Sequence, residues 1–262
     1  MFFAMYLIIG ALAGILAGLL GLGGGIIVVP ALAAVFLHYH LVPSEHVMHV
    51  AIATSLTTVV VTFLSSLRTH IRHGSVRWDY VKLLLPGIIL GVVVGTFISD
   101  QLPSNYLRLF FSLFLFFMAY RLLFVNADLQ LKSQPSNGLI RGVSAIIGML
   151  SSVLGVGGGV VMVPFLLRCK LEMRAAAGTS VACGVVIGVL ASLSYIFFAA
   201  SPIHLPWSTG YVYWPAFLGV AISSTLFAPI GISIAHRLSE TILKRILSTF
   251  LIAVGIDMLI PT

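Results

Sequence analysis

Residues Gly14–Leu32 read GILAGLLGLGGGIIVVPAL, and residues Gly148–Leu166 read GMLSSVLGVGGGVVMVPFL. Ten of the nineteen aligned positions are identical, among them the triplets Gly23–Gly25 and Gly157–Gly159 and a proline that follows each triplet. Hydrophobic segments interrupted at corresponding places in two halves of a chain are typical of the binding sites of membrane transporters. The repeat therefore predicts a duplicated fold and the position of a binding site.

The composition indicates a chain that lies in a lipid bilayer. Hydrophobic residues make up 60% of the 262 residues and charged residues only 8%, whereas a soluble domain carries about 25% charged residues. No charged residue precedes Glu45, and none lies between Arg174 and Arg237. Tracts of this length hold several spans of about 20 residues each. We therefore predict an all-α integral membrane protein whose first segment is retained, since it lacks the features of a cleaved signal peptide.

Ten apolar segments can be delimited, five in each half of the chain. They run over Phe3–Leu20, Gly24–Phe36, His46–Leu67, Tyr80–Ser99, Tyr106–Phe124, Leu139–Leu154, Gly158–Leu167, Ala175–Ala199, Tyr211–Ala235 and Leu243–Leu259. The pair Thr54-Ser55 in the third segment recurs as Thr179-Ser180 in the eighth. We predict two membrane repeats, at 1–125 and 139–262, joined by a polar cytoplasmic linker at 126–138.

An odd number of segments in each repeat inverts the second copy relative to the first. When the loop 68–82 is placed in the cytoplasm and later loops alternate, thirteen of the fourteen Lys and Arg residues fall inside and only Arg108 falls outside. Basic residues are enriched in the cytoplasmic loops of membrane proteins. We therefore predict inverted-topology repeats in the cell membrane with both termini outside. The net charge of +7 then serves orientation and not nucleic-acid binding.

The second and seventh segments, Gly24–Phe36 and Gly158–Leu167, are too short for a full span of about 20 residues. Each also contains a proline, Pro30 or Pro164. We expect short broken or re-entrant half-helices that begin at the glycine-rich loops and meet near the bilayer midplane. The charge pattern is the same whether the first two segments cross the membrane or re-enter it, so both alternatives stay open.

The glycine triplets are candidate substrate-binding residues. The first amides of a helix have no partner within that helix, and the helix dipole makes this end positive, which suits an oxyanion. The predicted substrate site consists of Gly23, Gly24, Gly25, Thr54, Ser55, Gly157, Gly158, Gly159, Thr179 and Ser180. The alternatives are close helix packing for the glycines and bonds to helix carbonyls for the hydroxyls.

Few ionisable residues fall in the predicted spans. Glu45, His46 and His49 cluster at the start of the third segment; a solvated outer loop is the favoured interpretation, and a proton-sensing gate is the alternative. An aromatic belt at the outer surface is predicted from Trp207, Tyr211, Tyr213 and Trp214. Because metal-ligand spacings, a dinucleotide fingerprint and a P-loop lysine are absent from the sequence, we expect no cofactor, no metal and no catalytic residue.

The doubled GxGGGxxxxP pattern, starting at Gly21 and again at Gly155, resembles the sulfite exporter family (TauE/SafE) of membrane permeases, as do the two Thr-Ser pairs. The resemblance covers nearly the whole chain. It implies a small sulfur-containing anion as substrate, such as sulfite, thiosulfate or an organosulfonate, which family members export and in some cases take up. From the two inverted repeats we expect alternating access, with export the favoured direction. A channel or a proton-coupled importer of another small solute is the alternative, and a homodimer is compatible with the sequence.

Overall fold

The computed structural model describes residues 2–20, 24–124, 135–198, 205–235 and 240–259. Within these ranges ten helices follow one another, at α1 Phe2–Leu20, α2 Gly25–His38, α3 Val47–Arg72, α4 Trp78–Gln101, α5 Ser104–Phe124, α6 Asn137–Leu154, α7 Gly159–Arg168, α8 Met173–Phe197, α9 Trp214–Ala235 and α10 Glu240–Leu259. A short 3-10 helix, Ser44–His46, precedes α3. Helices suit an apolar chain in lipid because each one satisfies its own backbone hydrogen bonds.

Each of the ten predicted segments coincides with one helix, but the ninth begins later than predicted. Residues Tyr211–Tyr213 are not helical. Instead β1, Ser208–Thr209, pairs antiparallel with β2, Val212–Tyr213, and Gly210 between them has a φ of +56° that suits a tight turn. The turn geometry therefore outweighs the apolar character of this stretch, and α9 starts only at Trp214.

The predicted linker 126–138 falls largely outside the described residues. Its last two positions, Asn137 and Gly138, already belong to α6, so the second helical half begins slightly earlier than predicted. Ser136 caps this helix by accepting a hydrogen bond from the N–H of Leu139 at 3.4 Å, a role that serine commonly has.

Six helices in the described part of the chain are long and apolar enough to cross a membrane: α3, α4, α5, α6, α8 and α9. In contrast, α2 has 14 residues and α7 has 10, which correspond to about 21 and 15 Å of helix. These two elements have the lengths expected of half-helices.

Helices of one half pack against helices of the other. The main pairs are α1 with α9, α4 with α6, α3 with α8 and α5 with α10. Gly87 faces Arg141 and Gly95 faces Met149, so α4 and α6 run parallel. Along α3 and α8 the order is reversed: Thr57 donates to Ser192 at 3.1 Å, whereas Phe63 lies against Gly184. The matching helices α3 and α8 are therefore antiparallel.

Basic residues gather at one end of the helical bundle. The N–H of Arg77, just before α4, donates to Thr179 near the start of α8 at 3.1 Å, and Arg121 at the end of α5 is close enough to Arg168 to act on it electrostatically. Arg108 lies at the opposite end, where its guanidinium donates to the carbonyl of Asp257 at 3.4 Å.

Candidate functional site

The two glycine-rich breaks meet inside the helical bundle. As predicted, α2 and α7 begin within the glycine triplets, with Gly24 and Gly158 as their N-terminal caps. A methyl group on Gly25 would lie 2.6 Å from the carbonyl oxygen of Gly155 and 3.0 Å from the Cα atom of Val156. Only a glycine leaves room for the two chain segments to approach this closely, and the junction between them is the centre of the candidate site.

The junction lies well inside the bundle. Ser55 is eight residues into α3, which places it about 12 Å from the start of that helix, and its hydroxyl donates to the carbonyl of Gly155 at 2.9 Å. From here α2 runs toward the end where α3 begins, and α7 runs toward Arg168 at the basic end. The two half-helices thus begin near one another and lead to opposite ends of the molecule.

The first amides of both half-helices have no acceptor within their own helix. In α7 the carbonyl of Gly158 accepts the first intrahelical bonds, from Val161 at 3.2 Å and Met162 at 2.8 Å. In α2 the carbonyl of Gly24 has the same role. The first two N–H groups of each helix are therefore available to other acceptors, and the dipoles of both helices favour negative charge at these ends.

The two predicted threonines make equivalent structural contacts. Thr54 accepts a hydrogen bond from the N–H of Tyr213 at 3.1 Å, and Thr179 accepts one from the N–H of Arg77 at 3.1 Å. In each case the donor is the residue immediately before a helix, α9 or α4. The threonines therefore connect α3 and α8 to the starts of the helices packed against them.

The two predicted serines differ. The hydroxyl of Ser55 is bonded to the carbonyl of Gly155, whereas the hydroxyl of Ser180 is buried, with the residue 2% exposed, and has no hydrogen-bond partner in the part of the chain that the structure describes. A buried hydroxyl without a partner costs about 1–3 kcal/mol. Such a group is therefore a candidate donor to a ligand.

Other hydroxyls, in α3 and α9, are bonded to carbonyls of the preceding turn. They belong to Thr57, Thr58, Ser223, Ser224 and Thr225. This is the usual state of Ser and Thr in membrane helices, and it distinguishes them from Ser55 and Ser180.

The predicted site residues are only partly gathered at the junction. Gly25 and Ser55 meet there, and the sequence interpretation did not assign a role to their partner Gly155, although it is the first glycine of the second motif. Gly157 packs against Phe63, Gly159 is buried, and Gly23 lies outside the described residues. Thr179 and Ser180 lie closer to the basic end, on the antiparallel helix α8.

A second group of polar residues surrounds a cavity of about 420 Å³ where α3 begins and α4 ends. Glu45 is exposed and His46 half-buried, but His49 is only 3% exposed. The interpretation of this cluster as a solvated outer loop is therefore wrong for His49. The helix carries it inward, where its Nε2 atom donates to the carbonyl of Ser99 at 3.0 Å.

Tyr211 also departs from the sequence prediction. It was assigned to a surface belt with Trp207, which is 79% exposed, but Tyr211 itself is 2% exposed. Its ring stacks on that of His49 with centroids 5.2 Å apart, and its hydroxyl donates to Asp100 at 3.1 Å. The hairpin turns this side chain inward, which the sequence pattern did not indicate.

Comparisons with known proteins agree with this architecture. The family model described as "Sulfite exporter TauE/SafE" matches residues 6–258. A Haemophilus influenzae protein named probable membrane transporter protein is 35% identical over 261 residues, which cover 98% of both chains. A similarly named protein of Methanocaldococcus jannaschii is 28% identical over 98% of this chain and 95% of its own.

A third relative, a probable membrane transporter protein of Bacillus subtilis, is 24% identical over 99% of this chain and 98% of its own. No solved structure matches the chain. The family match spans nearly all of the ten helices and includes both glycine-rich breaks. The chain belongs to the sulfite exporter TauE/SafE family of membrane transporters.

Proposed function

We propose that the protein is a secondary transporter that exports a small sulfur-containing anion, such as sulfite, thiosulfate or an organosulfonate, across the cytoplasmic membrane. The observation that carries the proposal is the meeting of two helix breaks inside the bundle, with Gly25 against the carbonyl of Gly155. Irregular backbone at membrane depth is tolerated only against protein or a water-filled cavity. Paired breaks of this kind are typical of transporter binding sites.

The anion is held by backbone amides and hydroxyls and not by a basic side chain. The starts of α2 and α7 supply N–H groups and the positive ends of two helix dipoles. The hydroxyl of Ser180, which is buried without a partner in the described part of the chain, is a further donor. It lies one turn of α8 from Gly184, which packs against Gly157 of the second break.

Alternating access follows from two inverted repeats. The matching helices α3 and α8 run antiparallel, and so do α5 and α10, where Ser112 donates to the carbonyl of Gly255 at 2.7 Å and Arg108 reaches Asp257. Antiparallel matching helices are expected of repeats related by an axis in the membrane plane. Rocking one repeat against the other opens the junction to the two sides in turn, with the basic end in the cytoplasm and both termini outside.

Export needs little coupling machinery. An inside-negative membrane potential expels an anion with about 2.3 kcal/mol per charge per 100 mV. A divalent anion gains about twice that amount. The potential alone therefore drives efflux, and the site needs only to recognise the anion and to exclude cations.

The decisive experiment is efflux of radiolabelled sulfite from proteoliposomes at a set membrane potential. We expect saturable efflux that an inside-negative potential accelerates and that thiosulfate and organosulfonates inhibit in competition. Efflux no faster than from protein-free liposomes would exclude this substrate. A current that grows with concentration without saturating would instead identify a channel.

A further inference from the structure

We infer that His49 is a proton-binding site linked to the glycine-rich junction through the β1–β2 hairpin, so that transport responds to pH. The inference rests on the proposed function for the identity of the anion. The proton site itself is argued only from the contacts around His49. None of these contacts involves the backbone donors at the junction, so the proton site and the anion site can be tested separately.

The hydrogen bonding of His49 leaves one ring nitrogen ready to accept a proton. Its Nε2 atom lies 3.0 Å from the carbonyl oxygen of Ser99. A carbonyl only accepts, so Nε2 carries the hydrogen and Nδ1 of the neutral ring has a free lone pair. Nδ1 is buried and has no partner in the described part of the chain. A proton from water in the adjacent cavity binds there and converts the ring to an imidazolium.

The surroundings of His49 suit a proton better than a metal ion. The described residues contain no cluster of three metal-ligating side chains. Charged and titratable groups lie around the ring on the elements packed there, namely Glu45 and His46 of the 3-10 helix, Asp100 of α4 and Tyr211 of the hairpin. Tyr195 of α8 lies behind them, with its ring against that of Tyr211. From α5, the cavity is lined by Ser104 and Asn105, which carry no charge.

Protonation of His49 creates a second group that competes with the Tyr211 hydroxyl for the Asp100 carboxylate. In the neutral state the Tyr211 hydroxyl donates to Asp100 at 3.1 Å, while the Tyr211 ring lies on the His49 ring at an interplanar angle of 30°. An imidazolium attracts the Asp100 carboxylate and weakens its bond to the Tyr211 hydroxyl. The proton thereby loosens the attachment of the hairpin to α4.

The hairpin transmits this change to the junction. Two residues after Tyr211, the N–H of Tyr213 donates to Thr54 at 3.1 Å. The next residue of α3 is Ser55, whose hydroxyl holds the carbonyl of Gly155. A continuous set of contacts thus joins the proton site to the second glycine break. Binding of the proton and binding of the anion then affect each other equally, as linkage requires.

The test is equilibrium exchange of radiolabelled thiosulfate across proteoliposomes with equal pH and equal anion concentration on both sides. Thiosulfate keeps its charge over the histidine range, whereas sulfite does not. We expect exchange by the wild-type protein to rise severalfold as the pH is lowered from about 8 to about 5, with most of the rise on the acid side of this range, because a buried imidazole resists taking up a charge. In H49Q, whose amide still reaches Ser99 but binds no proton, the rise should fall below about twofold.

Further variants separate a proton site from a structural role. Y211F keeps the ring stacking but lacks the bond to Asp100, so it should exchange rapidly already at high pH. H38Q, at an exposed histidine, should behave as the wild type. Three results would overturn the inference. The pH dependence could be unchanged in H49Q, or it could be lost in H46Q but not in H49Q. The third is a pH profile of Y211F like that of the wild type.

A readout without any anion keeps the two proposals distinguishable. The chain has three tryptophans, of which Trp207 and Trp214 flank the hairpin, so W78F reports on the hairpin by intrinsic fluorescence. We expect its emission to titrate with pH and the titration to vanish when H49Q is added. Titration without thiosulfate exchange would support the proton site and reject the anion. Thiosulfate exchange together with a fluorescence titration that survives H49Q would support the anion and reject the proton site.

Discussion

The half-helices α2 and α7 end alike and begin differently. At their C-terminal ends, Leu41 donates to the carbonyl of Phe36 and Leu171 donates to that of Leu166, and the preceding residues, His40 and Lys170, both have positive φ values of 49° and 64°. At their N-terminal ends the caps differ. Gly24 has a φ of −68° and Gly158 has a φ of +76°, although both stand in the middle of a Gly-Gly-Gly triplet.

The surroundings of the two caps differ as well. Among the described residues, a methyl group at Gly24 would meet nothing closer than 3.7 Å, whereas one at Gly158 would lie 2.8 Å from Ile187 and 3.1 Å from Ser151. The same triplet therefore adopts two conformations in one molecule. The two half-helices therefore share the geometry of their C-terminal ends and differ at their starts, which face the junction.

The largest expected effect is the difference between substitutions at the two caps, Gly158 and Gly24. G158A forces an alanine into the left-handed region, at a cost of about 1–2 kcal/mol, and crowds Ile187. We expect a lower unfolding temperature and a marked loss of anion exchange, because relief of the strain displaces the first amides of α7. G24A, the matched control, should retain near-wild-type stability because its cap is open and right-handed. Thermal unfolding in detergent measures the stability of both variants, and exchange in liposomes measures their activity. Equal losses in G158A and G24A would contradict the difference between the two caps.

The two serines provide a smaller contrast. S55A removes the bond to the carbonyl of Gly155 and should destabilise the protein by about 0.5–1.5 kcal/mol. S180A removes a buried hydroxyl that has no partner among the described residues, so stability should be unchanged or slightly higher while the concentration needed for half-maximal anion exchange rises. Loss of stability in S180A without a change in that concentration would show that Ser180 acts within the fold and not on the anion.

The helices could be predicted from the sequence because bilayer burial imposes a strong pattern. Long uncharged tracts can only be spans, and the duplicated glycine triplets placed the starts of α2 and α7 to within one residue. The inverted orientation, the cytoplasmic position of the basic end and the role of the ten candidate site residues remain predictions.

Contacts between distant residues could not be predicted in the same way. The hydrogen bond between Ser55 and Gly155 joins residues that are 100 positions apart in the sequence. The bond between Tyr211 and Asp100 joins residues 111 positions apart. A local pattern records how apolar a residue is but not which helix faces it. For this reason the sequence places Tyr211 at the surface, and it offers the ligand or a helix carbonyl as partner of each threonine hydroxyl, whereas Thr54 and Thr179 accept backbone N–H groups.

The smallest expected effect concerns the C-terminal ends of α2 and α7, which have the same geometry. His40 and Lys170 are exposed residues in the left-handed conformation, where a side chain costs about 1–2 kcal/mol and glycine is favoured at a helix end. H40G and K170G should each raise stability by a few tenths to about 1 kcal/mol, since the greater flexibility of glycine in the unfolded chain offsets part of the gain. Thermal unfolding should give similar shifts for the two variants and exchange should stay at the wild-type rate. A gain in only one of them would mean that the asymmetry of α2 and α7 extends beyond the junction to their far ends.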